Sequence, residues 1–300
     1  MEASNERAPR FGRHGWLGLV LIIVCWTANW FLSGLRTHIF FAPLWLGFAL
    51  AVDALVLRRT GTSIYSRSRN TFVLLFLISA PTWWLFELFN LRTGNWIYVG
   101  KEYFSDLAYF VLASLSFSTV MPAVFGATEL VSSWAWVRRI PPGPTIASTR
   151  SLQTRLVGLG MASLVLVMIW PGYFYPLVWG IVFFLVEPLN QRLGRPSIFR
   201  HLEAGNWRRV VAIALGTLMC GLLWEFWNYF SYPKWTYYTP GVDFMHVFEM
   251  PLLGYIGYLP FGLELYVVAG LVLGRDIIFW PDTDPSYPIR PESSAQGSTP

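Results

Sequence analysis

Eight stretches of about 20 apolar residues divide the sequence, and they limit its possible folds more than any other feature. A helix needs roughly 20 apolar residues to cross the ~30 Å hydrocarbon core of a bilayer. The stretches run at 15–35, 38–57, 71–90, 104–126, 156–171, 173–189, 210–229 and 248–273. The sequence therefore predicts an all-α, polytopic membrane bundle of eight helices.

The composition agrees with a membrane protein and argues against other classes. Hydrophobic residues make up 54% of the 300 residues and charged residues 13%, which is about half the charged share of soluble domains. The net charge is +5, but the basic residues form short clusters between apolar stretches, so we expect no nucleic-acid partner. Cys25 and Cys220 lie inside apolar stretches, where they form neither a disulfide framework nor a CxxC motif.

The basic residues also predict an orientation. Of the 22 lysines and arginines, 18 fall before the first stretch, after the second, fourth and sixth stretches, or in the C-terminal tail. Loops rich in Lys and Arg stay in the cytoplasm. We therefore expect a multi-pass protein of the inner (plasma) membrane with both termini in the cytoplasm.

The two halves of the sequence resemble each other. PTWWLFELFNLRTGNWIYVG at 81–100 and GLLWEFWNYFSYPKWTYYTP at 221–240 share a Glu, an Asn three residues later, and a following Trp and Tyr. A second set of matches at 43–61 recurs 133 positions later, at 176–194. We interpret these as two parallel four-helix repeats, 1–139 and 152–275, with a cytoplasmic linker at 140–151 and a disordered cytoplasmic tail at 276–300. The alternative is a chance match between Trp-rich apolar helices.

Two carboxylates near the predicted outer ends of their helices are the main candidates for chemistry. Glu87 and Asn90 share one helix face, as do Glu225 and Asn228, because each pair is spaced i, i+3. Desolvation could keep one of these acids protonated as a proton donor in a cavity between the halves. The alternative is a helix-end acid that is hydrogen-bonded to Trp or Asn for packing.

Aromatic residues crowd around both glutamates. We predict that they form the wall of a substrate cavity, which can hold a cation or stabilise a carbocation formed from a polyene. The predicted wall residues are Trp84, Trp96, Trp224, Trp227, Trp235 and Tyr237. An aromatic belt at the membrane interface is the competing interpretation.

Further polar residues follow the second motif. Asp243, His246 and Glu249 recur every third residue, so on a helix they fall near one face and, with Glu225, form a possible metal site. The polar start of an interfacial helix is the alternative, and we expect no metal and no cofactor. Glu264 lies deep in the last stretch, where a carboxylate needs a buried polar partner.

The segment KWTYYTPGVDFMHVFEMPLLGYIGYLPFGLELY at 234–266 resembles the lycopene cyclase domain of heterodimeric-type carotenoid cyclases. Trp235, Thr236, Tyr237 and Pro240 match its W-T/S-Y/F-x-x-P motif. Pro251 and Leu252 match the start of its Pro-x-Glu-Glu stretch, where this chain has Leu253 and Gly254 in place of the acids and Glu249 before the proline. The resemblance implies a membrane protein that handles isoprenoids.

These patterns lead to one main hypothesis and two alternatives. The main hypothesis is an acid-catalysed membrane enzyme for an apolar lipid or isoprenoid, with Glu225 as proton donor, Glu87 and Glu249 as supporting acids, and Asn90 and Asn228 as orienting groups. The alternatives are a proton-coupled transporter of small molecules and a non-catalytic membrane scaffold.

Overall fold

The structure is a computed structural model, and it describes residues 11–278 and 280. Most of the described chain is helical. The helices are α1 (Arg13–Phe31), α2 (Thr37–Thr60), α3 (Ile64–Arg67), α4 (Arg69–Thr93), α5 (Asp106–Phe117), α6 (Val120–Ser132), α7 (Ala135–Arg138), α8 (Arg150–Ile169), α9 (Pro171–Phe174), α10 (Val178–Arg192), α11 (Ile198–Leu202), α12 (Arg208–Tyr229) and α13 (Tyr258–Leu273). Four short strands are β1 (Trp96–Val99), β2 (Lys234–Tyr237), β3 (His246–Val247) and β4 (Met250–Pro251).

Within the described residues, eight helical segments are long and apolar enough to cross a membrane. Five are the single helices α1, α2, α4, α8 and α12. The other three are Asp106–Ser132 (α5 with α6), Pro171–Arg192 (α9 with α10) and Leu252–Leu273, which contains α13. The predicted all-α polytopic bundle is therefore confirmed.

The boundaries of the predicted spans differ from the structure by up to six residues, and two of these differences have a local cause. The fourth continues to Ser132 instead of ending at 126, because the Glu129 carboxylate pairs with Arg67 and is compatible with a buried helix end. The eighth begins at Leu252 instead of 248. Met245 and Phe248 have φ angles of 52° and 59°, which interrupt a helix, and the chain forms the β3–β4 hairpin there.

The bundle is centred on α2, α6, α12 and α13. α6 packs against both α2 and α12, and α12 also packs against α13. Small residues allow these helices to approach closely. A Cβ atom at Gly216 of α12 would lie 2.7 Å from the backbone nitrogen of Thr128 in α6, and one at Gly18 of α1 would lie 2.5 Å from the carbonyl oxygen of Gly47 in α2.

At the end of the bundle with the Arg-rich loops, two carboxylates each organise a short helix. Asp53 accepts hydrogen bonds from the Ser63 hydroxyl at 2.7 Å and from a backbone N–H at the start of α3. Glu187 accepts from the Ser197 hydroxyl and from the N–H of Ile198 at 3.1 Å, at the start of α11. Anionic groups are favourable at a helix N-terminus, so both carboxylates fix the chain where it leaves the bundle.

The predicted linker and tail pack against this same end. The N–H of Gly143 donates to the Gly205 carbonyl at 2.9 Å, so the linker lies along the loop before α12. Asp276 pairs with Arg209, and Trp280 lies under the same guanidinium at 4.5 Å. Within the predicted disordered tail, Ile277, Ile278 and Trp280 are buried, and positions 279 and 281–300 lie outside the described residues. The domain boundaries and the cytoplasmic orientation stay predictions.

Candidate functional site

The opposite end of the bundle, which we call the strand end, is closed by strands β1 and β2. They pair antiparallel, with Trp96 opposite Tyr237 and Tyr98 opposite Trp235. Each strand follows one of the two Glu-Asn helix ends, so the two sequence motifs meet directly. The meeting of the motifs is an observed contact, whereas the internal duplication that would explain it stays a prediction.

The two asparagines hold the two strands in the same way. The Asn90 side chain donates to the carbonyl oxygen of Trp96 at 2.8 Å and accepts from its N–H at 3.2 Å. The Asn228 side chain makes the corresponding contacts with Trp235, at 2.7 Å and 3.0 Å. Each amide therefore satisfies both backbone groups of one strand residue. Asn90 and Asn228 orient the strands, and they do not contact the carboxylates.

Glu87 accepts hydrogen bonds from three aromatic side chains. Its Oε1 atom receives the Nε1–H groups of Trp83 and Trp96, both at 2.9 Å, and the hydroxyl of Tyr98 at 2.6 Å. Trp83 belongs to the same helix as Glu87, whereas Trp96 and Tyr98 belong to β1. The carboxylate thereby ties the strand to the end of α4.

Glu225 has a similar set of partners and is completely buried. Its Oε1 atom accepts from the hydroxyls of Tyr237 at 2.6 Å and Tyr258 at 2.8 Å. The Nε1–H group of Trp235 lies 3.4 Å away and is closer, at 2.8 Å, to the oxygen of Tyr237. The Oε2 atom has no hydrogen-bond partner among the described residues.

One donor differs between the two glutamates. Trp83 donates to Glu87 from the same helix, whereas Tyr258 donates to Glu225 from another helix. Trp83 lies four residues before Glu87, and Gly221 lies four residues before Glu225. A Cβ atom at Gly221 would lie 2.4 Å from the ring of Tyr258, so only glycine leaves room for that ring. Both glutamates thus keep an aromatic donor.

A cavity of about 490 Å³ lies between these two groups of side chains. The six aromatic donors line it: Trp83, Trp96, Tyr98, Trp235, Tyr237 and Tyr258. Glu87 and Glu225 do not, because they lie behind the rings. Since the carboxylates accept the N–H and O–H groups, the rings present mainly their carbon atoms to the cavity. Amphipathic side chains therefore form a largely apolar wall.

The electrostatics of the wall follow from this arrangement. Among residues 11–278 and 280, the structure shows no Lys or Arg paired with Glu87 or Glu225. Burial and the nearby Glu87 carboxylate raise the pKa of the Tyr98 phenol. Burial and Glu225 raise the pKa of Tyr237 in the same way. Both phenols are therefore protonated at neutral pH and remain hydrogen-bond donors.

Four of the six residues predicted for the cavity wall line it: Trp96, Trp224, Trp235 and Tyr237. Trp84 and Trp227 do not. Trp84 donates to the Ser114 hydroxyl at 2.9 Å and stacks on Phe110, because it is about 100° around α4 from Trp83. Trp227 is buried against Trp45 and Phe48.

The segment with Asp243, His246 and Glu249 is not a helix, so the prediction that these residues share a helix face is wrong. His246 hydrogen-bonds to Asp243 at 2.9 Å and both are exposed, whereas Glu249 pairs with Lys234. Among the described residues, no group of three His, Cys, Asp or Glu side chains is placed to hold a metal ion. Glu249 is paired with Lys234, and its role as a supporting acid stays a prediction.

The sequence reasoning overlooked several residues of the cavity. Tyr258 could be found only from tertiary structure, because it reaches Glu225 from another helix. Lys101 and Lys234 also line the cavity. The composition distinguishes them, because they are the only two lysines among the 300 residues.

No protein-family model, curated protein or solved structure matches this chain. Fold and site together define the class: a polytopic α-helical membrane protein with an aromatic cavity at one end of its bundle.

Proposed function

We propose that this protein is a membrane enzyme that binds a long apolar substrate, an isoprenoid or another lipid, in the aromatic cavity and acts on it by acid-initiated chemistry. The observation that carries the proposal is the inward-facing carbon surface of six aromatic rings whose polar atoms are bound to two glutamates behind them. Ligand pockets of roughly 300–1,000 Å³ are typical of small-molecule sites, and about 490 Å³ falls in that range.

In the proposed reaction, a proton adds to one carbon of a substrate double bond and leaves a carbocation at the other. The ring faces stabilise this cation. Loss of a neighbouring proton to the same base then forms the product double bond, so an isomerisation or cyclisation changes no atom count and requires no oxidant or reductant. Glu225 is the proposed acid because it is the more deeply buried of the two glutamates.

The path of the proton follows from the order of the groups. Tyr237 and Tyr258 stand between Glu225 and the cavity. In the proposed step, one phenol reverses the hydrogen bond that it donates to Glu225 in the structure: its oxygen accepts the proton of Glu225 while its own proton passes to the substrate carbon. Glu87 and Asn90 hold the opposite wall in place, and Asn228 holds β2.

The test is expression in cells that accumulate lycopene, the first substrate to examine because of the resemblance at 234–266. The proposal predicts a new pigment with the mass of lycopene, measured by chromatography with mass detection. Glu225→Gln and Tyr237→Phe should abolish it, whereas Tyr238→Phe should not, since Tyr238 is exposed and does not line the cavity. An unchanged pigment and lipid profile in all strains would contradict the proposal.

A proton-coupled transporter is the second candidate, and Glu264 is the observation in its favour. This carboxylate is fully buried, accepts the N–H of Val182 at 3.0 Å and lies beside the break in helical geometry at Trp179. Interrupted helices beside buried acids form coupling-ion sites in transporters. The candidate predicts proton movement in reconstituted vesicles, measured with a pH-sensitive dye, that Glu264→Gln abolishes. Equal movement with and without protein would exclude it.

A further inference from the structure

The lysines of this chain are confined to the cavity. Of 22 basic residues, only Lys101 and Lys234 are lysines, and both line the cavity at the strand end. The residues that line it include no Asp or Glu, because Glu87 and Glu225 lie behind the aromatic rings. The formal charge on the cavity wall is therefore positive, although the strand end as a whole also carries acids.

The strand register brings the two lysines to the same end of the two-stranded sheet. Lys234 pairs with Val99, and Lys101 lies two residues beyond Val99. The two chain segments touch here, since a Cβ atom at Gly100 would be 2.9 Å from the ring of Pro233. One part of the cavity is thus cationic, and the aromatic rings form the rest.

The two lysines differ in their surroundings, because a carboxylate is paired with Lys234 and the structure pairs none of the described carboxylates with Lys101. Lys234 pairs with Glu249 and both side chains are partly exposed. Lys101 lies over the Tyr109 ring at 4.5 Å, and within the described part of the chain the structure pairs no carboxylate with it. Lysine ammonium groups are suitable donors to phosphate oxygens.

We propose that Lys101 and Lys234 form a subsite for an anionic head group, so the ligand of the cavity is a prenyl or lipid phosphate with its phosphate at the lysines and its chain among the aromatic rings. This proposal rests on the proposed function for the location of the apolar chain, and it adds the chemical class of the head. A lipid phosphate and free phosphate share this head-group chemistry, and the test below separates them.

The two lysines make a direct experiment possible. Reductive methylation with ¹³C-formaldehyde labels them, together with the N-terminus, and keeps their charge. The labelled protein, in uncharged maltoside micelles, is titrated with farnesyl phosphate, farnesol or inorganic phosphate. Lys101→Arg and Lys234→Arg assign the two signals, and quenching of tryptophan fluorescence reports binding of the apolar chain.

We expect farnesyl phosphate to shift both lysine signals and to bind at least about tenfold more tightly than farnesol, as a charge-assisted contact requires. Lys101→Gln should remove most of that difference and leave farnesol binding unchanged. Glu102→Gln is the matched control, because Glu102 is the next residue, is exposed and does not line the cavity. Inorganic phosphate at the same concentration should shift neither signal.

Each other result overturns a defined part of the account. Equal binding of farnesol and farnesyl phosphate would overturn the head-group subsite and leave the apolar cavity standing. Equal lysine shifts with inorganic phosphate alone would overturn the assignment to an amphiphile. Binding of neither farnesol nor farnesyl phosphate would overturn both the subsite and the cavity's proposed role for apolar chains.

Discussion

The hydrogen bond between Tyr237 and Glu225 provides the sharpest test of how the wall is built. At 2.6 Å it is the shortest contact to this buried carboxylate. A hydrogen bond contributes about 0.5–1.5 kcal/mol to stability when both partners are neutral and about 1.5–3 kcal/mol when one is charged. Tyr237→Phe removes only the hydroxyl and keeps the ring, and Glu225→Gln keeps an acceptor oxygen but removes the acid.

We expect the two substitutions to be strongly non-additive. Each should lower the free energy of unfolding by roughly 1–3 kcal/mol, and the double variant should lose about 1–2 kcal/mol less than their sum, because the glutamine amide leaves only a weaker hydrogen bond for the second substitution to remove. The assay is equilibrium unfolding in mixed maltoside and dodecyl sulfate micelles, followed by tryptophan fluorescence.

The matched control pairs Glu225→Gln with Tyr238→Phe. Tyr238 is the next residue, but it is exposed and makes no contact with Glu225, so these two effects should add within about 0.5 kcal/mol. A coupling energy near zero for the Tyr237 pair, or the same value for both pairs, would refute the reasoning.

Three further predictions concern packing, strand positioning and pH. Gly221→Ala should destabilise the protein or prevent its folding, because the new Cβ atom meets the Tyr258 ring at 2.4 Å, whereas Gly158→Ala, with no atom within 4 Å, should be neutral; equal thermal melting of the two variants would contradict this. Asn228→Ala should cost about 2–4 kcal/mol in the same micelle assay, since both backbone groups of Trp235 lose a buried partner, and a change below 0.5 kcal/mol would be incompatible with it. Burial and the positive charges of Arg209 and Arg200 lower the pKa of His201 to about 2. The unfolded chain takes up a proton there below about pH 6.5, so stability should fall as pH falls from 7 to 5, and less so in His201→Gln; parallel pH profiles would contradict the assignment.

Sequence reasoning was most successful where one property decides the structure. The eight apolar stretches were enough to predict an all-α bundle, because a backbone that crosses lipid must hydrogen-bond to itself and a helix does so. The Glu-Asn motifs marked the two places where the chain leaves the bundle. Their partners were harder to predict, because Tyr258 reaches Glu225 from another helix and Trp227 differs from Trp224 only in its direction from α12.

The direction of the side chains explains the main departure from expectation. A carboxylate in an aromatic environment was expected to face the cavity as the reacting group. The structure instead has both glutamates behind the rings, where they accept the aromatic N–H and O–H groups. Helical spacing places a residue on a face, but it does not indicate which of two neighbouring polar groups lies nearer the empty space.

The helix predicted around Asp243, His246 and Glu249 fails for a local reason. The positive φ angles of Met245 and Phe248 separate the three side chains in a hairpin. Residues other than glycine seldom adopt positive φ angles, so the sequence around Met245 and Phe248 does not predict the hairpin.

The most direct test of the central claim is to identify the small molecules that co-purify with the protein. Mass spectrometry of organic extracts should find an apolar or amphiphilic lipid enriched with the wild type. Ala113→Trp, which fills part of the cavity, should lose it, whereas Val111→Trp on the exposed face of the same helix should retain it. An equal lipid content in the wild type and both variants would contradict the claim that the aromatic cavity is the binding site.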